Sequence, residues 1–444
     1  MKTLASAYVN LLKTSIGSGV LNFPYLFKTY GLITTIILTV ITGLFAATGL
    51  YLLMICSQEM GRGADLGKLA QDSIPWASIL IDIAVFMKCF GVALSYMVIA
   101  GSLLPSVFNA FFDLKLLTYK PFCLGIFVIA ISPFCYLKKM DALKYTSFVG
   151  LLSIIFVILA SIFRYLYDST IENVNAIAYA TLPDTNWLKG LGKFVFSFTC
   201  HQNIFYVFAE LENNSLPRMK RLIVITACSA FFLYMSFGVS NYLMYGNAVK
   251  DNVLLNYPED YLTGIVHFLY VIVMGVSYPL QLSPGKNYLM NILSRFFDFE
   301  NEEVIPLEEI EKTVQVQSDE HLEISTENKK EQKNEVDFLN NQNVSFQNTT
   351  IKNREKFKDY VEKIVLTVLI ILTYIIAVSG IGLGLIFALV GATASTFMSM
   401  ILPAIYYLHS DVQKTIFLSI TSYIMFLFGV FVFLTTIISL SIKR

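Results

Sequence analysis

Residues 193–211, KFVFSFTCHQNIFYVFAEL, place polar side chains in the middle of an apolar stretch. The stretch is long enough to span a bilayer, which takes ~20 residues. His201, Gln202 and Asn203 are consecutive, so their side chains project over about 200° of a helix and cannot all face one packing seam. Polar side chains that face lipid are costly. We therefore expect this helix to line a cavity or to be interrupted here.

A second unusual stretch lies near the N-terminus, at residues 11–27, LLKTSIGSGVLNFPYLF. Gly17, Ser18 and Gly19 stand in mid-span and Pro24 follows, so the helix is predicted to unwind there. Unwound backbone at membrane depth occurs only inside protein or beside a cavity. Its free N–H groups and the positive end of the following half-helix suit a carboxylate. The alternative is a close helix crossing through small residues.

The composition of the whole chain is that of a membrane protein. Of 444 residues, 55% are hydrophobic and only 14% are charged, with a mean hydropathy of +0.62 and a net charge of zero. Soluble domains carry about 25% charged residues. These values exclude a water-soluble enzyme, a nucleic-acid-binding domain and a secreted disulfide scaffold. No nucleophile–base or metal-ligand spacing is present, so we expect neither enzymatic activity nor a cofactor or metal.

The hydrophobic runs predict an all-α polytopic protein with about eleven spans. They lie at roughly 5–27, 31–56, 77–105, 121–137, 145–167, 190–210, 222–245, 261–283, 361–382, 384–408 and 414–441. The chain is thus divided into spans 1–8 (residues 1–283), a long loop (284–360) and spans 9–11 (361–444).

The long loop is predicted to be disordered, because it is acidic and has too few apolar residues to form a core. Between Asp298 and Gln342 there are fourteen Asp and Glu residues against four Lys. With a cytosolic N-terminus, the inner short loops hold nine Lys and Arg residues and the outer ones six. The positive-inside rule then places the loop in the cytosol. We expect a solvated spacer, with a cytosolic partner or modification sites as the alternative.

The two unusual spans hold matching positions. Span 1 is the first of spans 1–5, and span 6 is the first of spans 6–10. Interrupted helices at corresponding positions of two halves point to the binding site of a transporter with inverted repeats. This expectation depends on position alone, since the halves share no evident sequence identity.

Four segments resemble the amino acid/auxin permease family, and its vacuolar amino acid transporter branch most closely: NLLKTSIGSGVLNFPYLFKTYGL (10–32), KCFGVALSYMVIAGSLLP (88–105), FVFSFTCHQNIFYVFAEL (194–211) and LVGATASTFMSMILPAIYYL (389–408). The resemblance implies a LeuT-like fold, in which two inverted repeats of five helices are followed by one extra helix. It also implies amino acid transport, usually coupled to protons and sometimes to Na⁺. Ser102 departs from the pattern, because family members often have an acidic residue there.

Carried over residue by residue, the resemblance places the substrate carboxylate on Gly17, Ser18 and Gly19, with Thr14 beside them. Thr199 and His201 form the opposite wall.

Three further residues are candidates for coupling and gating. His201 is the candidate proton carrier, because histidine titrates near pH ~6.5; a neutral histidine bonded to a carbonyl is the alternative. Ser277, before Pro279, is the candidate Na⁺ ligand, and Glu210 is a candidate gate. Lys88 and Asp82 are six residues apart and do not face each other on a helix. Lys88 is expected to snorkel or to bond a carbonyl of a neighbouring helix.

The resulting hypothesis is a secondary transporter of amino acids, neutral ones in particular, that works by alternating access and is coupled to protons. We expect a vacuolar or lysosomal-type membrane. Two alternatives are a Na⁺-coupled symporter of the plasma membrane and an amino-acid-sensing receptor that signals through the long loop. The partners implied are an amino acid, protons or Na⁺, and the lipid bilayer, without nucleic acid.

The spacer hypothesis predicts that deletion of residues 301–350 leaves uptake by the purified protein within about two-fold of the full chain, since closure of a long flexible loop depends weakly on its length. Uptake of labelled amino acids into proteoliposomes measures this. A deletion variant that binds substrate but no longer transports it contradicts the spacer hypothesis.

Overall fold

The structure is a computed structural model that describes residues 3–58, 60–111, 118–137, 144–167, 177–296 and 356–442. Within these ranges nearly all residues are helical, which confirms the all-α prediction. The helices are α1 (Leu4–Ile16), α2 (Asn22–Tyr30), α3 (Leu32–Cys56), α4 (Leu66–Ser73), α5 (Ser78–Phe111), α6 (Lys120–Cys135), α7 (Lys144–Tyr167), α8 (Thr185–Phe198), α9 (His201–Glu210), α10 (Leu216–Tyr245), α11 (Tyr261–Phe296), α12 (Lys356–Val378), α13 (Leu383–His409) and α14 (Ile416–Ser441).

Eight of the described helices are long and apolar enough to cross a membrane. They are α3, α5, α7, α10, α11, α12, α13 and α14. The shorter apolar helix α6 occupies the fourth predicted span. The first and sixth predicted spans are both present as two half-helices, α1 with α2 and α8 with α9.

The first span is interrupted where its glycines predict. Helix α1 ends at Ile16, and Gly17 then adopts φ +27°, a conformation that side chains disfavour. A 3₁₀ turn, Gly19–Leu21, leads directly into α2. Pro24 lies in the first turn of α2, where a missing N–H costs no helical hydrogen bond. The predicted mid-span break is therefore present.

The sixth span is interrupted without glycine or proline. Helix α8 ends at Phe198, Thr199 is extended (φ −83°, ψ 104°), and α9 starts at His201. The Thr199 hydroxyl donates to the carbonyl oxygen of Val195 at 2.6 Å. Hydroxyl groups that bond a preceding carbonyl compete with the helical backbone, which is consistent with a break in this polar segment.

One tyrosine connects the two interrupted spans. The Tyr234 hydroxyl of α10 donates to the carbonyl oxygen of Ser15 at 2.9 Å and also lies within hydrogen-bond distance of the carbonyl oxygen of Ser197. Tyr234 is fully buried and its ring stacks on Phe23 of α2, with ring centroids 4.3 Å apart. The carbonyl groups that the breaks leave free of helical partners are thus held by one side chain.

The limits of the predicted long loop need correction. Helix α11 continues to Phe296 rather than ending at 283, and α12 begins at Lys356 rather than 361. Pro279 and Pro284 lie inside α11 without ending it, because prolines in membrane helices are tolerated where neighbours satisfy the freed carbonyls. The rest of the loop, residues 297–355, lies outside the described residues.

The chain divides into two compact units. The first comprises Met1–Leu289 and Val368–Arg444 and holds both interrupted spans. The second comprises Met290–Thr367, which includes the end of α11 and the start of α12. In α12, Lys363 pairs with Asp359 at 2.7 Å, one helical turn away.

Helices α8 and α13 approach each other through glycines. A Cβ atom added to Gly391 would lie 2.0 Å from the carbonyl oxygen of Gly192 and 3.1 Å from the Cβ of Phe196. This crossing falls on a π-helical turn of α13, Gly391–Ser395, with a second π-helical turn at Phe397–Ile401. π-helical turns are frequent at functional sites. Backbone contact of this kind holds the first half of the sixth span against α13.

We predict that Gly391→Ala lowers the stability of the purified protein, because its methyl group must push two backbones apart, a cost of ~1–3 kcal/mol. The thermal unfolding midpoint in detergent measures the effect. Gly125→Ala is the control, since the nearest atom to its added Cβ, the Tyr374 hydroxyl oxygen, is 3.9 Å away. Equal midpoints for the two variants contradict the close crossing.

Candidate functional site

A cavity of about 270 Å³ lies beside the two interrupted spans. Its lining comes from α1, α5, α7, α9 and α11, and includes Lys13, Cys89, Ser147, Tyr206 and Gln281. Because successive spans cross in opposite directions, these residues all lie in the half of the bundle that contains the N-terminus. The cavity therefore occupies the N-terminal side.

A second, much smaller cavity adjoins the first at the breaks themselves. Its volume is about 10 Å³, room for about one water molecule. Thr14, Tyr96, Gln202 and Gln281 line both cavities. The small cavity is thus continuous with the large one and forms its end at the two breaks.

The break in the first span presents backbone donors at the small cavity. Ser18 and Gly19 line it, and their N–H groups have no acceptor among the described residues. The Ser18 hydroxyl lies 3.1 Å from the Ser95 hydroxyl of α5, which itself donates to the carbonyl oxygen of Val92. Two free N–H groups next to a helix N-terminus favour an anion.

The two breaks touch directly. A Cβ atom added to Gly19 would lie 3.0 Å from the Cα of Ser197, and the Ser197 hydroxyl donates to the carbonyl oxygen of Gly19 at 3.3 Å. On the N-terminal side, the Asn203 amide donates to the Thr14 hydroxyl at 2.8 Å. The walls of the small cavity are therefore held together on both sides of the breaks.

The structure brings together four of the predicted substrate-binding residues. Thr14, Ser18, Gly19 and Thr199 all line the small cavity. Gly17 does not line it; its carbonyl oxygen accepts a hydrogen bond from the Tyr270 hydroxyl at 3.1 Å. Its positive φ redirects the chain so that Ser18 and Gly19 face the cavity.

His201 differs from its predicted placement on the cavity wall. It is fully buried, lines neither cavity, and its Nε2 lies 3.1 Å from the carbonyl oxygen of Ala46 in α3. A Cβ atom at Gly49 would lie 3.0 Å from Nε2, so a glycine in α3 makes room for the ring. Helix α9 starts at His201, and each further residue turns the side chain by about 100° around the helix. The next two residues, Gln202 and Asn203, therefore face the large cavity.

The remaining predicted residues are Ser277 and Glu210. Ser277 of α11 lines it. Glu210 is the last residue of α9, on the N-terminal side of the bundle. The Arg62 guanidinium donates to the carbonyl oxygens of Ala209 and Glu212, at 2.5 and 3.1 Å, on either side of the predicted gate.

Lys88 is a cavity residue that was not predicted from the sequence. This residue of α5 is 2% exposed and lines the small cavity. Its Nζ donates to the Ser395 hydroxyl of α13 at 3.0 Å and to the carbonyl oxygen of Phe196 at 3.5 Å, and lies 4.0 Å from the centre of the Phe196 ring. The carbonyl contact was predicted, but the cavity was not. The one feature of the sequence that pointed to Lys88 was the presence of a lysine inside a predicted span.

The acidic and basic residues in the described lining of the two cavities are all basic. Lys13 lines the large cavity and Lys88 the small one, and both are buried. Among the described lining residues there is no aspartate or glutamate. Four carboxamides, Asn10, Gln202, Asn203 and Gln281, line the large cavity, and the buried Oε1 of Gln202 has no donor among the described residues. The site suits an anionic group with polar, uncharged neighbours.

Polar contacts join helices on the opposite side of the bundle. Arg164 at the end of α7 donates to Asp260 at 2.5 Å and to the Thr263 hydroxyl at 2.7 Å. Burial disfavours the Asp260 carboxylate, but hydrogen bonds from Arg164 and Thr263 outweigh it and hold the pKa of Asp260 below its usual value. The His267 ring bridges the Ser106 hydroxyl and the carbonyl oxygen of Leu254, each at 3.0 Å. These contacts join α5, α7 and the segment before α11.

The fold is similar to that of a protein of known structure. The crystal structure of MhsT in complex with L-phenylalanine matches with a TM-score of 0.55 at 12% sequence identity and covers 98% of each chain. This likeness confirms the predicted LeuT-like fold.

Relatives of known name match most of the sequence. The chain is 28% identical to vacuolar amino acid transporter 6 of Saccharomyces cerevisiae, over 91% of this chain and 89% of that protein. It is 29% identical to vacuolar amino acid transporter 5 of Schizosaccharomyces pombe, over 66% and 70%. It is also 24% identical to sodium-coupled neutral amino acid transporter 7 of Danio rerio, over 64% of each chain.

The pattern that defines the family of transmembrane amino acid transporter proteins matches residues 2–442. This range includes both interrupted spans and every residue that lines the two cavities. The chain belongs to the transmembrane amino acid transporter family.

Proposed function

We propose that the protein is a secondary active transporter that moves amino acids with uncharged side chains together with protons, by alternating access, across a vacuolar-type membrane. The observation that carries the proposal is the small cavity between the two interrupted spans. It combines free backbone donors with a buried cation and lies at the inner end of a larger cavity on one side of the bundle.

The substrate carboxylate binds at the first break. The free N–H groups of Ser18 and Gly19 donate to it, and the positive end of the helix that follows adds electrostatic stabilisation. The carbonyl of Gln202, which has no donor among the described residues, accepts from the substrate ammonium. Because the small cavity holds about one water molecule, binding requires the half-helices to separate.

The lining determines which side chains are accepted. A substrate with a cationic side chain would meet Lys13 and Lys88, and no carboxylate of the described lining would compensate its charge. Burying an unpaired charge is costly, so lysine and arginine are rejected. The four carboxamides suit a polar, uncharged side chain such as that of glutamine.

The structure corresponds to one end state of the transport cycle. The large cavity lies on the N-terminal side, which the positive-inside rule assigns to the cytosol. The contacts of Arg164 with Asp260 and Thr263 and those of His267 close the other side. In the opposite end state, the contacts of Arg164 and His267 break and the large cavity on the N-terminal side closes.

Coupling to protons is favoured over coupling to Na⁺. Sodium binding requires several oxygen ligands, and the described lining of the two cavities offers no carboxylate oxygen. Ser277 remains the candidate ligand if Na⁺ binds. Two of the three named relatives are called vacuolar transporters, which supports a membrane with an acidic lumen as proton source.

We predict that an imposed pH gradient, without Na⁺, drives accumulation of labelled L-glutamine or another uncharged amino acid in proteoliposomes. Excess unlabelled lysine or arginine does not compete. Initial uptake rates with and without the gradient, with Na⁺ or choline as the cation, measure this. Uptake that requires Na⁺ and ignores pH contradicts proton coupling, and absence of flux despite substrate binding favours a receptor.

The carboxylate site predicts that Gly19→Val lowers initial uptake at least about ten-fold, equivalent to ~1.4 kcal/mol. Its side chain would separate the break from Ser197 and obstruct the free N–H groups. Gly17→Val has the same effect, because a β-branched residue does not tolerate φ +27°.

Gly125→Val is the matched control, since no atom lies closer than 3.9 Å to its added Cβ. Gel filtration of the purified variants verifies that each is folded. Wild-type uptake kinetics in a folded Gly19→Val variant would exclude this break as the carboxylate site.

A further inference from the structure

Lys88 is a buried amine that pairs with no aspartate or glutamate of the described residues. The titratable groups within its electrostatic range are Cys89 on its own helix, Cys200 at the second break and His201 at the start of α9. From α13 it meets the Ser395 hydroxyl, and from α1 the small cavity offers hydroxyl and backbone groups. No carboxylate among the described residues pairs with it. An ammonium at this depth is costly unless an anion compensates its charge.

The observed contacts fit an amine that can exist in two protonation states. A neutral lysine has two N–H donors, and Nζ makes two hydrogen bonds, to the Ser395 hydroxyl and to the carbonyl oxygen of Phe196. A third proton would need a further acceptor. The carboxylate of an amino acid in the small cavity, which Lys88 lines together with Ser18 and Gly19, is such an acceptor.

We propose that Lys88 carries the coupled proton: it takes up a proton together with the amino acid, and its ammonium becomes the counter-ion of the substrate carboxylate. The proton comes from water on the acidic side and leaves to water on the other side as the substrate dissociates. This inference depends on the proposed function and assigns its coupling to a residue other than the predicted His201.

The position of Lys88 also links the proton to the conformational change. Its partners are Phe196, near the end of the first half of the sixth span, and Ser395, at the end of the π-helical turn Gly391–Ser395 of α13. When the ammonium turns to the carboxylate, it weakens its contacts with both. Proton and substrate together therefore alter the same helix junction, whereas either alone leaves an unpaired charge in the site. Reciprocal stabilisation of this kind is thermodynamic coupling.

The experiment measures proton uptake on substrate binding by the purified full-length protein. L-Glutamine, or another uncharged amino acid that the proteoliposomes take up, is added in weakly buffered detergent that contains a pH-sensitive dye. The wild-type protein is expected to take up close to one proton per bound amino acid. Lys88→Met is expected to take up none and to bind at least about ten-fold more weakly, because it lacks the charged hydrogen-bond donor.

Lys88→Arg keeps the positive charge but does not release its proton. It is expected to retain counterflow exchange of the amino acid in proteoliposomes, with a rate independent of pH and without proton uptake on binding. If Lys88→Met does not fold, the Lys88→Arg variant by itself tests the proposal. Lys193→Met is the matched control: Lys193 is also buried, its Nζ lies 4.2 Å from the centre of the Tyr25 ring, and it lines neither cavity. It is expected to retain wild-type proton uptake, as is His201→Gln.

Wild-type proton uptake in a folded Lys88→Arg or Lys88→Met variant overturns the proposal. Loss of uptake in His201→Gln alone, with uptake kept in both Lys88 variants, overturns it in favour of the histidine. Failure of the proposed function looks different, since the wild-type protein itself would then not accumulate amino acids in response to a pH gradient.

Discussion

The structure depends on the contact between two interrupted spans. Each break frees backbone groups at membrane depth, which is tolerable only where other protein groups satisfy them. Tyr234 holds carbonyl oxygens of Ser15 and Ser197, and Gly19 packs directly on Ser197. Those carbonyl groups therefore have donors, while the N–H groups of Ser18 and Gly19 have no acceptor among the described residues. This imbalance makes the junction a site for an anion.

The remaining helices give this junction an asymmetric environment. On the N-terminal side, the lining leaves a cavity of about 270 Å³. On the other side, Arg164 and His267 make hydrogen bonds that bring α5, α7 and the start of α11 together. A transporter requires two such states, each closed on one side, and the polar outer contacts can part at modest cost because water replaces them.

Burial explains why a lysine suits the proposed coupling role in this site. In water an ammonium group keeps its proton at neutral pH, but in a dry cavity its charge must be compensated. Lys88 has hydroxyl and carbonyl acceptors and no carboxylate among its described neighbours. A substrate that brings its own carboxylate therefore changes the proton affinity of the site, which is the requirement for symport.

The sequence alone determined the helical membrane fold and the two interruptions, because hydrophobic length, glycine and adjacent polar residues act through local physics. The resemblance of four segments indicated the family. It also predicted that Thr14, Ser18, Gly19 and Thr199 belong together. The sequence could not decide which neighbour of a break faces the cavity, since one residue of helix turns a side chain by about 100°. Tertiary packing decided that: His201 faces α3, Gln202 and Asn203 face the cavity, and Lys88 reaches it from a distant span.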